Sequence, residues 1–155
     1  PKLGFLYNGF IKGFKLKNKR HPHFLSPGAV ARSNACPTIV FENSTPRYAI
    51  GSTGSERMIS GIFQVLVRLR SQSEYTAVAA PRLHCTPENE LYLEAGRFRP
   101  ETLKHLRKHS FTMIPYDEWA FSAGGLHLAG IDSGEYRGVA EPRRDGAVLG
   151  PVSEQ

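Results

Sequence analysis

The most constraining feature of the sequence is a glycine-rich turn, containing Gly51 and Gly54, that joins a strand-like run to a long amphipathic run. Residues 47–50 predict a strand and residues 55–70 predict a helix. The first N–H groups of a helix have no partner inside it and carry partial positive charge, so this turn is a ready anion site. Glycines let the backbone come close to a bound oxygen. Many α/β proteins turn in this way without a ligand, so the turn alone does not establish a site.

The amphipathic run has a start signal and an apolar stripe. Thr53 followed by Glu56 is typical of a capping box, which predicts that the helix begins here. Its 3.6-residue periodicity predicts that one face packs against a sheet. The predicted inward residues are Met58, Ile59, Ile62, Phe63, Leu66 and Leu69.

The remaining elements predict an α+β domain with helices packed on a sheet. A chain of 155 residues is typical of one domain with one core. A hairpin is predicted over residues 37–51, and further helices over 74–80 and 100–109. Strands are predicted over residues 3–7, 90–94, 111–114, 120–121, 126–131 and 136–140, a basic loop over 10–27, and a polar turn over 141–146.

The formal net charge is +6. Such a charge allows an acidic partner such as nucleic acid. We favour solubility and compensation of an acidic partner subunit, because the basic residues show no interleaved pattern of aromatic residues for stacking on nucleic-acid bases. The clustered basic residues are Lys12, Lys15, Lys17, Lys19 and Arg20.

The sequence predicts no metal site and no cofactor. Cys36 and Cys85 lack zinc-ligand spacing; a disulfide between them is possible, but two buried thiols are the favoured prediction. No run is long enough to span a bilayer. Because the chain begins at Pro1 without a Met or a signal peptide, we expect it to be part of something longer, and its compartment stays open.

The turn lies between two further marks: Cys36-Pro37-Thr38-Ile39-Val40 upstream, and Ala80-Pro81-Arg82-Leu83-His84 downstream. In this order and spacing, the sequence resembles the small subunit of the γ-glutamyltranspeptidases, which are N-terminal-nucleophile hydrolases. The resemblance runs through most of residues 1–155, as the C-terminal part of that subunit. It implies a portion of a four-layer αββα sandwich.

The resemblance also implies a mechanism. The family's nucleophile is a threonine at an N-terminus made by self-cleavage, with its own α-amine as base. Thr38, Thr45 and Thr53 all lie downstream of that position, and Pro1 has no hydroxyl. The nucleophile is therefore expected on an upstream segment or on the large subunit of the same precursor. The alternative is a catalytically inactive relative that serves as a binding or structural module. Family members are often periplasmic or extracellular.

The resemblance implies roles for five residues. The backbone amides of Gly54 and Ser55 match the family's oxyanion hole, and their alternative role is a plain helix cap. Ser33 and Asn34 match two serines that contact the substrate's α-carboxylate, and they otherwise end a loop. Gly13 falls where an aspartate would pair with the substrate's α-amine.

Gly13 is the clearest departure from the family pattern. A glycine cannot neutralise an ammonium group, and the neighbouring Lys12 would repel one. We therefore expect a small-molecule γ-glutamyl or acyl-amide substrate that is bulkier or less zwitterionic than usual. Arg82 and His84 are predicted to be structural rather than catalytic.

Overall fold

The structure is a computed structural model that describes residues 13–150. The chain divides into two compact units, Pro1–Asn34 and Ala35–Gln155. In the described part of the first unit, Lys15 and Phe24 form an isolated parallel bridge, and the Lys15 amide donates to the His23 carbonyl oxygen (2.7 Å). The loop predicted over residues 10–27 is confirmed in its described part. The strand predicted over residues 3–7 lies outside the described residues.

The second unit contains a four-stranded antiparallel sheet in the order β1-β2-β6-β7. Its strands are β1 (Thr38–Glu42), β2 (Thr45–Thr53), β6 (Gly125–Asp132) and β7 (Glu135–Val139). The predicted hairpin is confirmed as the β1–β2 pair, which carries a register shift after Val40. The β6–β7 turn is made by Ser133 and Gly134, both at positive φ (51° and 85°), as a two-residue hairpin turn requires.

Two helices cover one face of this sheet and form the core with it. They are α1 (Arg57–Arg68) and α2 (Glu74–Ala79), the latter capped by the Ser73 side chain, which accepts a hydrogen bond from the Thr76 amide. The α+β prediction is thereby confirmed. The buried core consists of Ile50, Ile62, Val65, Ala77, Val78, Leu126, Leu128 and Val139.

The opposite face of the four-stranded sheet carries apolar residues and is largely exposed among the described residues, except at Gly138, against which Val148 packs. Side chains alternate between the two faces of a strand, so Ile39, Ala49, Ala129 and Gly138, which are paired in register across all four strands, share this face. Ile39 is 62% exposed, and Tyr136, two residues from Gly138, is 74% exposed.

A smaller, three-stranded sheet has the order β3-β4-β5. Its strands are β3 (Leu83–Cys85), which the sequence did not predict, β4 (Glu90–Leu93) and β5 (Thr112–Pro115). Strands β4 and β5 are parallel, and the crossover between them contains α3 (Pro100–Leu106). Leu103 and Leu106 are the half-buried residues of α3.

The predicted capping box is wrong. Helix α1 begins at Arg57 rather than Ser55, and Glu56 occupies the N-cap position in a helical conformation without a side-chain cap hydrogen bond. Thr53 is the last residue of β2, paired with Gly125, and its hydroxyl points to the Gly125 carbonyl oxygen (3.5 Å). Because Thr53 belongs to the sheet, its side chain is unavailable to the helix.

The predicted stripe of α1 is partly wrong. Ile59 and Phe63 are 54% and 64% exposed, whereas Gly61, Ile62 and Val65 are buried. The helix approaches the sheet at Gly61, where a Cβ would lie 4.0 Å from the Ser52 Oγ. A close approach at this small residue turns Ile59 and Phe63 away from the core.

Three further predictions need correction. Residues 120–121 do not form a strand: Ala120 precedes a 3₁₀ turn at Phe121–Ala123. The tail at 141–146 is not simply a polar surface turn, because Glu141 and Arg143 are buried. Cys36 and Cys85 are free thiols, but Cys36 is only half-buried and Cys85 is exposed. Within residues 13–150, no helix has the length and apolar character needed to cross a membrane.

Candidate active-site turn

The turn between β2 and α1 holds two consecutive residues in the left-handed region. Gly54 has φ 119° and Ser55 has φ 55°. Their carbonyl oxygens accept from the first helical amides, Arg57 N–H to Gly54 O (3.1 Å) and Met58 N–H to Ser55 O (3.3 Å). Gly54 is half-buried and Ser55 is exposed. A left-handed φ costs a serine about 1–2 kcal/mol, which is small enough for the conformation to be attainable.

The turn packs tightly against the beginning of β6. A Cβ added to Gly54 would lie 3.0 Å from the Cα of Gly124, and a Cβ added to Gly124 would lie 2.9 Å from the Thr53 carbonyl oxygen. Gly124 also has positive φ (94°). Glycine at both positions therefore permits a close backbone contact that a side chain would prevent.

A cationic and aromatic cluster lies behind the turn. The Arg57 Nε donates to the Tyr116 hydroxyl (2.9 Å), and the guanidinium carbon lies 5.8 Å from the Tyr92 ring centre and 5.9 Å from that of Tyr116. The two tyrosine rings are 5.5 Å apart. This cluster joins the first turn of α1 to the second sheet.

His84 pairs with a serine one turn along α1. The Ser60 Oγ lies 3.0 Å from the His84 Nδ1 and 3.2 Å from the Arg57 carbonyl oxygen, to which it donates. Burial, and then the charge of Arg57, lowers the pKa of the imidazole. The adjoining cavity of about 10 Å³ holds no more than one water molecule. A Ser–His pair in so small a space lacks room for a substrate.

Arg82 belongs to a buried ion-pair network with Glu94, Glu141 and Arg143. Arg82 pairs with Glu141 (Nη2–Oε2 2.5 Å), and Arg143 pairs with Glu94 (Nη2–Oε2 2.5 Å) and with Glu141 (Nη1–Oε1 2.7 Å). Burial would raise the pKa of each carboxyl, but the arginines and backbone amides around it hold both values below their usual range. Every member is ion-paired inside the fold, which fits the structural role predicted for Arg82.

The other three predicted site residues lie in the first unit. Gly13 packs against the segment just before Ser33: the Arg32 amide donates to the Gly13 carbonyl oxygen (3.3 Å), and a Cβ at residue 13 would overlap the Arg32 carbonyl oxygen. The structure thus brings Gly13 close to the chain that leads to Ser33. Ser33 is exposed and Asn34 is half-buried.

Several residues of these contacts carry no specific signal in the sequence. Tyr116 belongs to no motif, and the sequence pattern places Glu94 at a strand end and Glu141 and Arg143 in a polar turn. Their only signal is that charged residues flank well-patterned strands, which is too common to single them out. Among residues 13–150, no group of three His, Cys, Asp or Glu side chains has the arrangement of a metal site.

Comparison with solved structures defines the class. The chain superposes on the γ-glutamyltranspeptidase of Pseudomonas nitroreducens complexed with L-DON with a TM-score of 0.76 at 22% identity, covering 98% of this chain and 83% of that one. It superposes on the cephalosporin acylase of Bacillus halodurans with a TM-score of 0.79 at 21% identity, covering 92% of this chain and 27% of that one. The fold is a portion of the αββα sandwich of N-terminal-nucleophile hydrolases, as predicted.

The sequence places the chain within that class. The Gamma-glutamyltranspeptidase family pattern matches residues 1–150, so the chain belongs to this family. It is 29% identical over 132 residues to the glutathione hydrolase proenzyme of Bacillus subtilis (strain 168), which is 81% of this chain and 22% of that protein. It is 26% identical over 125 residues to the glutathione hydrolase proenzyme of Arthroderma benhamiae, which is 72% of this chain and 21% of that protein. The chain spans about a fifth of the length of these curated relatives.

Proposed function

We propose that this chain is the C-terminal part of the small subunit of a γ-glutamyltranspeptidase-like amide hydrolase and acyl transferase. An N-terminal threonine outside the 155 residues attacks a substrate amide, and the acyl-enzyme then passes its acyl group to water or an amine. The amides of Gly54 and Ser55 hold the oxyanion. The observation that carries this proposal is the left-handed turn at these two residues, because it lies at a helix start and Ser55 is exposed.

The physical role of the turn follows from its position. Amides at a helix N-terminus are already oriented when charge develops on a carbonyl oxygen, so they stabilise it without reorganising. Membership of the Gamma-glutamyltranspeptidase family supports this proposal. Ser33 and Asn34 are proposed to hold the substrate's carboxylate or carbonyl.

The open sheet face supports completion by another part of the same precursor. The face with Ile39, Ala49, Ala129 and Tyr136 is apolar, and a sheet with one apolar open face packs on a second sheet about 10 Å away. The curated relatives are proenzymes of which this chain spans about a fifth. We propose that the upstream segment or large subunit supplies the second sheet and the nucleophile.

The substrate is proposed to differ from a free γ-glutamyl amino acid. Gly13 offers no carboxylate to an α-amine, and the close approach of Arg32 leaves no space there for an aspartate side chain. An acyl-amide without an α-ammonium group does not need a carboxylate at residue 13. We therefore expect the ratio of N-acyl to γ-glutamyl anilide hydrolysis to exceed that of a relative with the aspartate.

The test uses the full-length protein and a panel of γ-glutamyl and N-acyl anilides. Gly54→Ala is expected to lower kcat at least 100-fold, because alanine is strained at φ 119° and its Cβ would press on Gly124, which displaces the backbone amide that donates to the oxyanion. Gly134→Ala is the matched control: its φ is also positive (85°), but it lies in the β6–β7 turn with open space around it, and activity is retained. A wild-type protein inactive on the whole panel contradicts the proposal.

The alternative is an inactive relative that keeps the scaffold as a binding module. Gly13 favours it, because the position that would neutralise the substrate's α-amine lacks an acid. Mass spectrometry of the native protein separates the two functions. A processed chain with an N-terminal threonine supports the enzyme, and an intact precursor supports the binding module.

A further inference from the structure

The conformation of the Gly54–Ser55 turn needs support from outside the turn. The left-handed conformation of Ser55 is costly, and such strain persists only where the surroundings hold it. A side-chain cap would be the usual support for a helix start, but α1 has none. Some other contact must therefore fix the direction in which these amides point.

Arg57 makes that contact through its backbone amide and through its side chain. Its amide closes the turn on the Gly54 carbonyl oxygen (3.1 Å), and its Nε donates to the Tyr116 hydroxyl (2.9 Å). The guanidinium also lies within cation–π distance of Tyr92 and Tyr116. One residue thus connects the turn backbone to a fixed point on a different sheet.

The fixed point is itself well held. The Tyr116 amide donates to the Leu93 carbonyl oxygen (2.7 Å), which extends the β4–β5 pairing by one residue. The Tyr92 hydroxyl donates to a Glu90 carboxylate oxygen (2.9 Å), which fixes the second ring. Rotation of the Arg57 side chain is therefore limited on two sides.

We propose that Arg57 and Tyr116 are positioning residues for the oxyanion hole, acting through the backbone of the Gly54–Ser55 turn. This inference rests on the function proposed above. Neither side chain touches the reacting atoms in this reading. A displaced donor weakens stabilisation of the transition state more than binding of the substrate, so loss of the contact should lower kcat and leave KM nearly unchanged.

The test compares variants of the full-length protein. Tyr116→Phe removes the hydroxyl that accepts from Arg57 but keeps the ring, and Arg57→Gln removes the cation. We expect each to lower kcat by about tenfold or more at unchanged KM, since small misplacements cost up to ~100-fold. Arg57→Lys keeps a charged donor and should recover part of the loss. Tyr75→Phe, on an exposed tyrosine of α2, is the matched control and should behave as wild type.

Amide hydrogen exchange provides a readout that does not depend on activity. The amides of Arg57 and Met58 are protected by bonds to Gly54 and Ser55, so Tyr116→Phe should accelerate their exchange, while Tyr75→Phe should not. An active wild type with unchanged kcat and unchanged exchange in Tyr116→Phe overturns the inference alone. A lower kcat without faster exchange also overturns it, because the effect would not pass through the turn. An inactive wild type overturns the proposed function and this role together.

Discussion

Replacing Arg143 should cost more stability than replacing any comparable surface arginine. Arg143 has a fully buried side chain that donates to both buried carboxylates, to Glu94 (2.5 and 2.7 Å) and Glu141 (2.7 Å). It also donates to the Ala80 carbonyl oxygen (3.0 Å). Arg143→Met retains much of the volume but removes every one of these donors.

The magnitude follows from what the substitution leaves behind. Glu94 keeps Arg97 and the amides of Arg82 and Ala120, and Glu141 keeps Arg82, so each carboxylate stays buried with part of its compensation lost. Breaking a buried ion pair by removing one partner typically costs about 3–5 kcal/mol. That is a large part of the roughly 5–15 kcal/mol that stabilises a folded domain.

Urea unfolding of the full-length protein, followed by circular dichroism, measures the effect against a matched control. Arg137→Met removes a half-exposed arginine whose contacts with Glu74, Asp132 and Glu135 span 3.6–3.9 Å. Such surface pairs contribute about 1 kcal/mol or less. Equal losses in Arg143→Met and Arg137→Met would refute the reasoning that the network is a buried, mutually dependent unit.

Three further outcomes are expected from the same unfolding assay. Thr53→Ala should cost less than about 0.5 kcal/mol because its hydroxyl caps no helix, whereas Ser73→Ala should cost about 1 kcal/mol because it removes a real cap; the reverse order would contradict the corrected helix start. In the folded protein the pKa values of Glu94 and Glu141 lie below the usual ~4.3. Their contribution to the free energy of unfolding is therefore fully present above about pH 5 and is lost as the pH falls through the lowered pKa values. A free energy of unfolding that does not change down to pH 3 would argue against this contribution. Gly124→Ala should destabilise more than Gly134→Ala, since both have positive φ but only residue 124 would place its Cβ 2.9 Å from a backbone oxygen, and similar midpoints would count against that contact.

Local signals in the sequence predicted much of the fold. β-Branched residues around Ile39 favour the first hairpin, Ser133 and Gly134 favour the turn of the last, and Pro100 is typical of the start of a helix. These features depend on residues within a few positions of one another. The short strand β3 was missed because three residues carry too little periodicity to be recognised.

The failures came from contacts between distant parts of the chain. Thr53 was assigned to a helix cap although its partner, Gly125, lies in a strand far along the sequence. Ile59 was placed inward because periodicity gives a stripe but not the point at which the helix touches the sheet. The sequence predicts a polar turn at Arg143 because its partner Glu94 is 49 residues away and leaves no local signal. For the candidate site, the sequence marked Gly54 and Ser55, whereas the contact of Arg57 with Tyr116 needed the three-dimensional structure.

The position of the ion-pair network in the chain has a consequence for synthesis. The last strand among the described residues ends at Val139. Glu141, which pairs with Arg82, and Arg143, which pairs with Glu94, both follow it in the sequence. A nascent chain that has emerged only as far as β7 could form its helices and strands. It would then bury Arg82 and Glu94 without Glu141 and Arg143 to compensate their charges. Completion of this unit is therefore expected to wait until Glu141 and Arg143 have left the ribosome.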